Sequence, residues 1–311
     1  MINRVLSPTA TAALLPYPAL AEEIDKVLRD DSVRVPPRMV QELGLGASLF
    51  VMPALDCQIA ITKLITFTPA NAGRGLATIQ GDVVVFDIAT GQRQLILDGP
   101  TVTARRTAAV SLLAAQRLAP NRQGPLLIVG AGVQGRAHLE AFGSGLNVRE
   151  VVIASRSEAS ARSMAEFAQA LGMRARVVPD PNPALSDCPL VVTCTPASAV
   201  VLHARVRNDT FLAAVGAFTP KMVELSTTLC QYFASNGTIV VDTADATHEA
   251  GDLLQAGLDV AAFATLRDVV RGPSLTPDGP VLFKSCGWAG WDLAAARTAL
   301  QIQAFGSVTP V

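Results

Sequence analysis

The chain is poor in the residues that build metal centres and disulfide frameworks. Its five cysteines, Cys57, Cys188, Cys194, Cys230 and Cys286, are odd in number and scattered, with no CxxC pair. That pattern points to reduced thiols and argues against a disulfide scaffold or a zinc ribbon. The three histidines, His138, His203 and His248, are equally far apart, so no metal ligand set is expected. Charge is scarce, at 16% of residues with a formal net charge of −1, which leaves neither a basic stripe for nucleic acid nor a polybasic membrane anchor. No uncharged apolar run reaches the roughly 18 residues of a bilayer span. The opening MINRVLSPTATAALLPYPALAEE has an Ala-x-Ala-like step near Leu20, but Thr and Pro interrupt its apolar stretch, so a secretory leader is not expected. Internal repeats and low-complexity segments are absent too. A small-molecule partner and a cytoplasmic setting remain.

What is present is a long, half-apolar chain of 311 residues, enough for two domains with a core each. Up to about residue 100 it reads as one helix, Leu20 to Leu28, followed by strands in SLFVMPA, QIAITKLITF, LATIQGDVVVFDIATGQ and RQLILDG. A hairpin turn is expected at Ala89-Thr90-Gly91-Gln92. A helix over about Val102 to Leu118 follows, capped by Thr101 or Thr103. The helix ends at Ala119-Pro120, and the polar Asn121 to Gly124 that follows reads as an inter-domain linker. Beyond it LLIVG, VVIAS, RARVV, LVVTCTP, TFLAAVGAF and TIVVD alternate with helical or looped stretches, the grammar of a parallel sheet covered by helices. A last helix after about Trp291 can return to the first domain. The fold expected is α/β: a doubly wound, Rossmann-type parallel sheet over 121–291, beside an α+β domain made of 1–120 and 292–311.

The run Leu126 to Gly135, LLIVGAGVQG, is an apolar strand ending in Gly130-x-Gly132-x-x-Gly135 and opening into the helical stretch GRAHLEAF, with Val133 and Gln134 of the turn expected among the cofactor contacts. Here Gly130 permits the tight turn, Gly132 lets backbone approach a pyrophosphate, and Gly135 lets the helix close onto the strand. The next apolar strand ends in Ser155-Arg156-Ser157, where an NAD site usually carries an acid for the ribose hydroxyls. A guanidinium fork and two hydroxyls suit a 2′-phosphate that a carboxylate would repel. NADP(H) is therefore expected over NAD(H), which stays possible.

Several strings together, VMPA (51–54), TKLITF (62–67), LDGPTVTARRTAA (97–109), IVGAGVQG, AVGAFTPKMVEL (214–225) and FKSCGWAGWD (283–292), resemble the ornithine cyclodeaminase and μ-crystallin family in order and spacing. The resemblance implies a Rossmann domain beside a substrate and dimerisation domain, hence a homodimer, and an α-imino or α-amino acid substrate. It implies that Arg38 and Arg106 clamp the substrate carboxylate and that Lys63 binds beside them as the catalytic group. An arginine fork orients a carboxylate without losing its charge, and a lysine beside arginines has a lowered pKa suited to proton transfer. Arg34 competes with Arg38, and Arg105 with Arg106, on sequence alone. For the cofactor, the resemblance adds Thr195, a shelf of Ala213, Ala214, Val215 and Gly216 under the nicotinamide, Ser285 toward its amide, and Thr78 from the first domain.

The cyclodeaminase branch of that family carries two carboxylates where this chain has Phe50 and Phe218. Ornithine cyclisation needs acids to accept protons and bind the distal ammonium, whereas reduction of a ready-made cyclic ketimine needs an anchored carboxylate, a hydride and one proton. The expectation is an NAD(P)H-dependent reductase of a small cyclic α-imino acid, Δ1-pyrroline-2-carboxylate or Δ1-piperideine-2-carboxylate. Alternatives are an ornithine or lysine cyclodeaminase, an alanine-dehydrogenase-like enzyme, and a non-enzymatic NADPH-binding protein of crystallin type.

Overall fold

Residues 4–196, 198–274 and 276–306 are described by the computed structural model. They fold as two compact units. Arg106 and what precedes it, with the segment from Trp288 onward, form the first, and Thr107–Gly287 the second.

In the first unit, β1 (Arg4–Val5) leads to helices α1 (Pro8–Ala13) and α2 (Tyr17–Arg29). Helix α2 buries Leu20, Ile24, Val27 and Leu28, the i, i+4, i+7, i+8 stripe of a helix covering a core. A meander follows, comprising β2 (Met39–Gly44), β3 (Ala47–Leu55), β4 (Ile59–Phe67), β5 (Ile79–Asp87) and β6 (Arg93–Asp98). These pair antiparallel, and β1 joins β6 in parallel, giving the order β1-β6-β5-β4-β3-β2. The hairpin turn falls between β5 and β6 as expected. Strand β2 is not evident in the sequence, because all six of its residues are exposed and no apolar alternation marks them. In β4 the buried series is Ile59, Ile61, Lys63, Ile65, so the pleat carries a lysine inward among isoleucines.

Helix α3 (Gly99–Leu118) follows β6 directly. The expected threonine cap is corrected: Asp98 Oδ1 accepts both the N–H (2.9 Å) and the hydroxyl of Thr101, and a carboxylate also suits the positive end of the helix dipole. The division between the units falls inside α3. The Pro120 loop belongs to the second unit, where Asn121 donates to Asp209 Oδ2 at 2.9 Å.

The second unit runs through β7 (Leu126–Val129), α4 (Val133–Gly145), β8 (Glu150–Ala154), α5 (Glu158–Ala170), β9 (Arg174–Val178), β10 (Leu190–Thr193), β11 (Ser198–Leu202) and β12 (Phe211–Ala214). It continues as β13 (Val223–Leu225), α6 (Thr227–Asn236), β14 (Thr238–Val241), α7 (Ala246–Glu249), α8 (Gly251–Gln255), β15 (Ala264–Thr265), α9 (Leu266–Arg271) and β16 (Val281–Lys284). Eight strands form one parallel sheet in the order β15-β14-β16-β12-β10-β7-β8-β9, with β11 and β13 pairing separately. Its central strands are buried along their whole length, which is why they read as continuous apolar runs rather than alternating ones. The last helix, α10 (Ala289–Gly306), belongs to the first unit and packs on α2, β3 and β4.

None of the five cysteines is disulfide-bonded, and Cys57 is the one that is exposed. Among the described residues, no helix is long and apolar enough to cross a membrane, and no group of three His, Cys, Asp or Glu side chains is arranged to hold a metal ion.

Candidate active site

Because every strand of the large sheet runs the same way, its carboxyl ends line one edge. Along that edge lie Ser155–Ser157 after β8, the glycine turn after β7, Thr195 beyond β10, Val215 and Gly216 after β12, and Ser285 after β16. This row crosses four strand spacings, roughly 19 Å at about 4.8 Å each. Strand β7 has β8 on one side and β10 on the other, the point where the strand order reverses and open α/β sheets bind ligands.

The three glycines of the turn do different things. Gly130 has φ +119°, and a Cβ there would stand 2.7 Å from the Cys194 carbonyl oxygen. A Cβ on Gly135 would stand 2.0 Å from the carbonyl oxygen of Gly130, so helix α4 can approach the strand only without a side chain. Gly132 is the opposite case: it is the N-cap of α4, and a Cβ there would meet nothing within 4 Å. No side chain caps α4 and no acid stands in its first turn, as an anion-binding helix end requires. Val133 is 71% exposed at that end. Gln134 instead turns its carbonyl to the buried His138, whose Nδ1 lies 2.8 Å away and whose Nε2 lies 3.0 Å from Ser111 Oγ. Burial holds the His138 imidazole neutral, its pKa lowered to about 4.

At the end of β8, Arg156 and Ser157 are exposed and Ser155 is half-buried. The Ser157 hydroxyl oxygen also accepts the Ser160 N–H at 3.2 Å, capping α5.

Glu224 is buried behind the middle of the edge. Its carboxylate accepts the Thr193 hydroxyl (3.0 Å), the N–H and hydroxyl of Thr195 (2.7 and 2.8 Å) and the Gly216 N–H (2.8 Å). It thereby ties the end of β10 to the end of β12. Burial pushes the Glu224 carboxyl upward, opposed by the charge of Lys284 and by these hydrogen bonds. Asp252 continues the network: Oδ1 accepts the N–H groups of Glu224 and Leu225 (2.6 and 2.9 Å), and Oδ2 lies 3.1 Å from Lys284 Nζ. The Thr195 hydroxyl, expected at the cofactor, thus donates inward. Ala213 and Ala214 lie wholly inside β12, leaving Val215 and Gly216 as the half-buried part of the expected shelf. The Ser285 hydroxyl likewise donates to the buried Asp242 (2.9 Å), which also takes the N–H groups of Cys286 and Gly287 at 2.8 Å. The sequence signal for both acids was slight, a lone carboxylate ending or interrupting an apolar run.

In the first unit the structure brings Lys63, Arg106 and Asp292 together. Lys63 Nζ lies 2.8 Å from Asp292 Oδ2, and Arg106 Nε lies 3.5 Å from Asp292 Oδ1. Lys63 is 1% exposed. Burial lowers its pKa to about 8; Asp292 pulls it back up, and the charges of Arg106 and the half-buried Arg38 push it down. Removing one partner of such a buried pair typically costs about 3–5 kcal/mol. Asp292, at the start of α10, closes the family-like string FKSCGWAGWD.

The rival arginines are committed elsewhere. Arg105 Nε donates to the Leu15 carbonyl at 2.7 Å with its guanidinium 3.9 Å over the Tyr17 ring, and Arg34 donates to the Val33 carbonyl at 3.0 Å. Thr78 lies half-buried just before β5, where its carbonyl accepts the Thr68 N–H at 2.8 Å. Phe50 shares a sheet face with Lys63, since Met52 is opposite Lys63 in the antiparallel register and Phe50 is two residues from Met52. Phe218 is half-buried in the loop after β12.

The model of the ornithine cyclodeaminase/mu-crystallin family matches residues 5–301. The chain belongs to this family. Similar proteins include Delta(1)-pyrroline-2-carboxylate reductase 1 of Burkholderia multivorans, 38% identical over 303 residues, 95% of this chain and 94% of that protein. Another is the Delta(1)-pyrroline-2-carboxylate/Delta(1)-piperideine-2-carboxylate reductase of Azospirillum brasilense, 38% identical over 305 residues, with the same coverage of 95% and 94%. Among solved structures, the Delta(1)-pyrroline-2-carboxylate reductase of Thermococcus litoralis, in complex with NADH and L-proline, covers all of both chains at a TM-score of 0.85 and 22% identity. At that identity it speaks for the family fold.

Proposed function

We propose that this protein is an NAD(P)H-dependent reductase of small cyclic α-imino acids, converting Δ1-pyrroline-2-carboxylate or Δ1-piperideine-2-carboxylate to proline or pipecolate. The observation that carries this reading is the buried Lys63, with a pKa near 8 and a carboxylate at 2.8 Å, within the influence of two arginines. The names of the Burkholderia and Azospirillum relatives support it.

Arg38 and Arg106 hold the substrate carboxylate, since a guanidinium offers paired donors in a plane and keeps its charge. Lys63 gives its proton to the imine nitrogen as the C=N bond becomes a C–H and an N–H bond, and is reprotonated from solvent. A nicotinamide dinucleotide, when bound, supplies the hydride for the imine carbon. The residues present fit such a group, for the open cradle at Gly132 and the uncapped end of α4 are what a pyrophosphate needs. Gly130, Gly132, Val133, Gln134 and Gly135 hold the pyrophosphate. Ser155, Arg156 and Ser157 take the 2′-phosphate of NADP(H) in preference to the bare ribose of NAD(H). Thr78, Thr195, the Ala213–Gly216 segment and Ser285 bound the remainder, with Thr195 and Ser285 acting through backbone or spare acceptor capacity because their hydroxyls are donated to acids.

The protein works as a homodimer. The unpaired outer edge of β2, with Met39, Val40 and Leu43 exposed, is the surface that a second copy covers; a monomer mass by light scattering overturns this. Five cysteines without a disulfide suit a cytoplasmic location.

The deciding experiment follows NADPH and NADH oxidation with cyclic imino acids, with pyruvate plus ammonia or methylamine, and assays ornithine for ammonia release. Oxidation with the cyclic imines well above the other substrates is the expected result, and none with any cyclic imine defeats the proposal.

A further inference from the structure

We propose that Asp292 is the positioning residue of this site, aiming the Lys63 amine and keeping it protonated between turnovers. The inference rests on the reading of Lys63 as proton donor and adds what makes that reading possible. A fully buried lysine beside other cations sheds its proton unless an anion compensates it. The charged groups that weigh most on Lys63 come from three elements or their flanks: Arg106 on α3, Arg38 before β2, and Asp292 on α10. Of these, Asp292 alone is negative, and it is fully buried, 2.8 Å from Nζ.

Its second oxygen, facing Arg106 at 3.5 Å, fixes the direction of the pair. One carboxylate bridges the amine that gives the proton and a guanidinium that holds the substrate, so the two cations keep a set separation without a flexible link. Charge balance gives the expected split. With Asp292 ionised and Lys63 charged, the four groups sum to +2; with Asp292 replaced by an amide and Lys63 neutral, the sum is again +2. The pull on an incoming carboxylate is preserved, and what is lost is the proton.

The chain has four lysines, Lys26, Lys63, Lys221 and Lys284, so ¹³Cε-lysine NMR resolves Lys63 as one of four titrating signals, assigned with Lys63→Arg. The test compares wild type, Asp292→Asn and Asp292→Glu, first by titration without substrate or cofactor and then by pH profiles of imine reduction. In wild type Lys63 should titrate near pH 8. In Asp292→Asn the midpoint should fall by about one unit or more. The basic limb of the kcat profile should move down with it, kcat at pH 8 falling about fivefold or more, while KM stays within about threefold. Asp292→Glu should restore the limb.

An unmoved Lys63 midpoint in Asp292→Asn overturns the proposal, as does a joint loss of kcat and KM with no change in the pH profile. If Asp292→Asn does not fold, the wild-type titration still decides, because a Lys63 already neutral at pH 7 leaves Asp292 without the role. The NMR titration needs no turnover, so a protein that reduces no imine still reports whether Asp292 sets the charge of Lys63. The failure of this inference and the failure of the reductase reading are thus told apart.

Discussion

Gly216 donates its backbone N–H to Glu224 Oε2 at 2.8 Å, and a Cβ added to Gly216 would stand 2.4 Å from both Glu224 Oε1 and the Thr195 carbonyl oxygen. The approach of β12 to that buried carboxylate therefore admits no side chain. Gly216→Ala should destabilise the protein by about 1–3 kcal/mol, read as a fall in Tm of about 2–4 °C per kcal/mol. Gly132→Ala is the control, with open space around its Cβ. It should leave Tm nearly unchanged and weaken dinucleotide binding by titration. Equal losses of stability in both variants would contradict this division of roles.

Cofactor choice should follow the end of β8. Arg156→Ala combined with Ser155→Asp should move preference from NADPH towards NADH, because the guanidinium for a 2′-phosphate is removed and an acceptor for ribose hydroxyls is supplied. The measurement is kcat/KM with each cofactor. A wild-type protein that already uses NADH as well as NADPH would refute the reading of this strand end.

Phe50 makes its own prediction, since it shares the sheet face of Lys63. Ornithine should not be converted to proline and ammonia at rates comparable to imine reduction. Its distal ammonium would have no carboxylate at that position, and a charge desolvated without a partner costs several kcal/mol. Ammonia release from ornithine, measured beside imine reduction, checks this directly.

The neutral His138 should shape the acid side of the stability curve. Its folded pKa is about 4 against 6.5 for the free side chain, because it is buried. As pH falls through 6.5 the unfolded chain takes up a proton that the folded chain refuses, so stability is full above 6.5 and declines towards 4. His138→Gln carries no such charge, and its urea-unfolding free energy should be flatter over that interval. A slope identical to wild type over that interval would refute this role; Asp30, whose carboxyl Arg297 holds down at about 2, acts only at lower pH, below its free value of 3.8.

The sequence was most legible where one local rule decides the structure. The glycine turn, the buried strands of the parallel sheet and the hairpin before β6 are each written within a few consecutive residues. Strand β2 was not, because exposed residues on an edge strand carry no burial pattern. Periodicity cannot choose between adjacent Arg105 and Arg106; the choice is made by the Leu15 carbonyl and the Tyr17 ring, far away along the chain. Asp292 and Glu224 were harder still. A buried acid is distinguished by its partners, and Lys63 and Thr195 are brought to them only by the packing of distant elements.

The cysteines have a consequence of their own. Burial pushes the thiol of Cys188 up to about 11 and that of Cys230 to about 12, and raises Cys194 as well. Peroxide and disulfide exchange act on the thiolate, which these three scarcely form at neutral pH. Cys57, exposed in the turn between β3 and β4, is by contrast open to solvent. A maleimide dye or spin probe should find Cys57 first, ahead of the half-buried Cys286, while an oxidative burst leaves Cys188, Cys194 and Cys230 untouched.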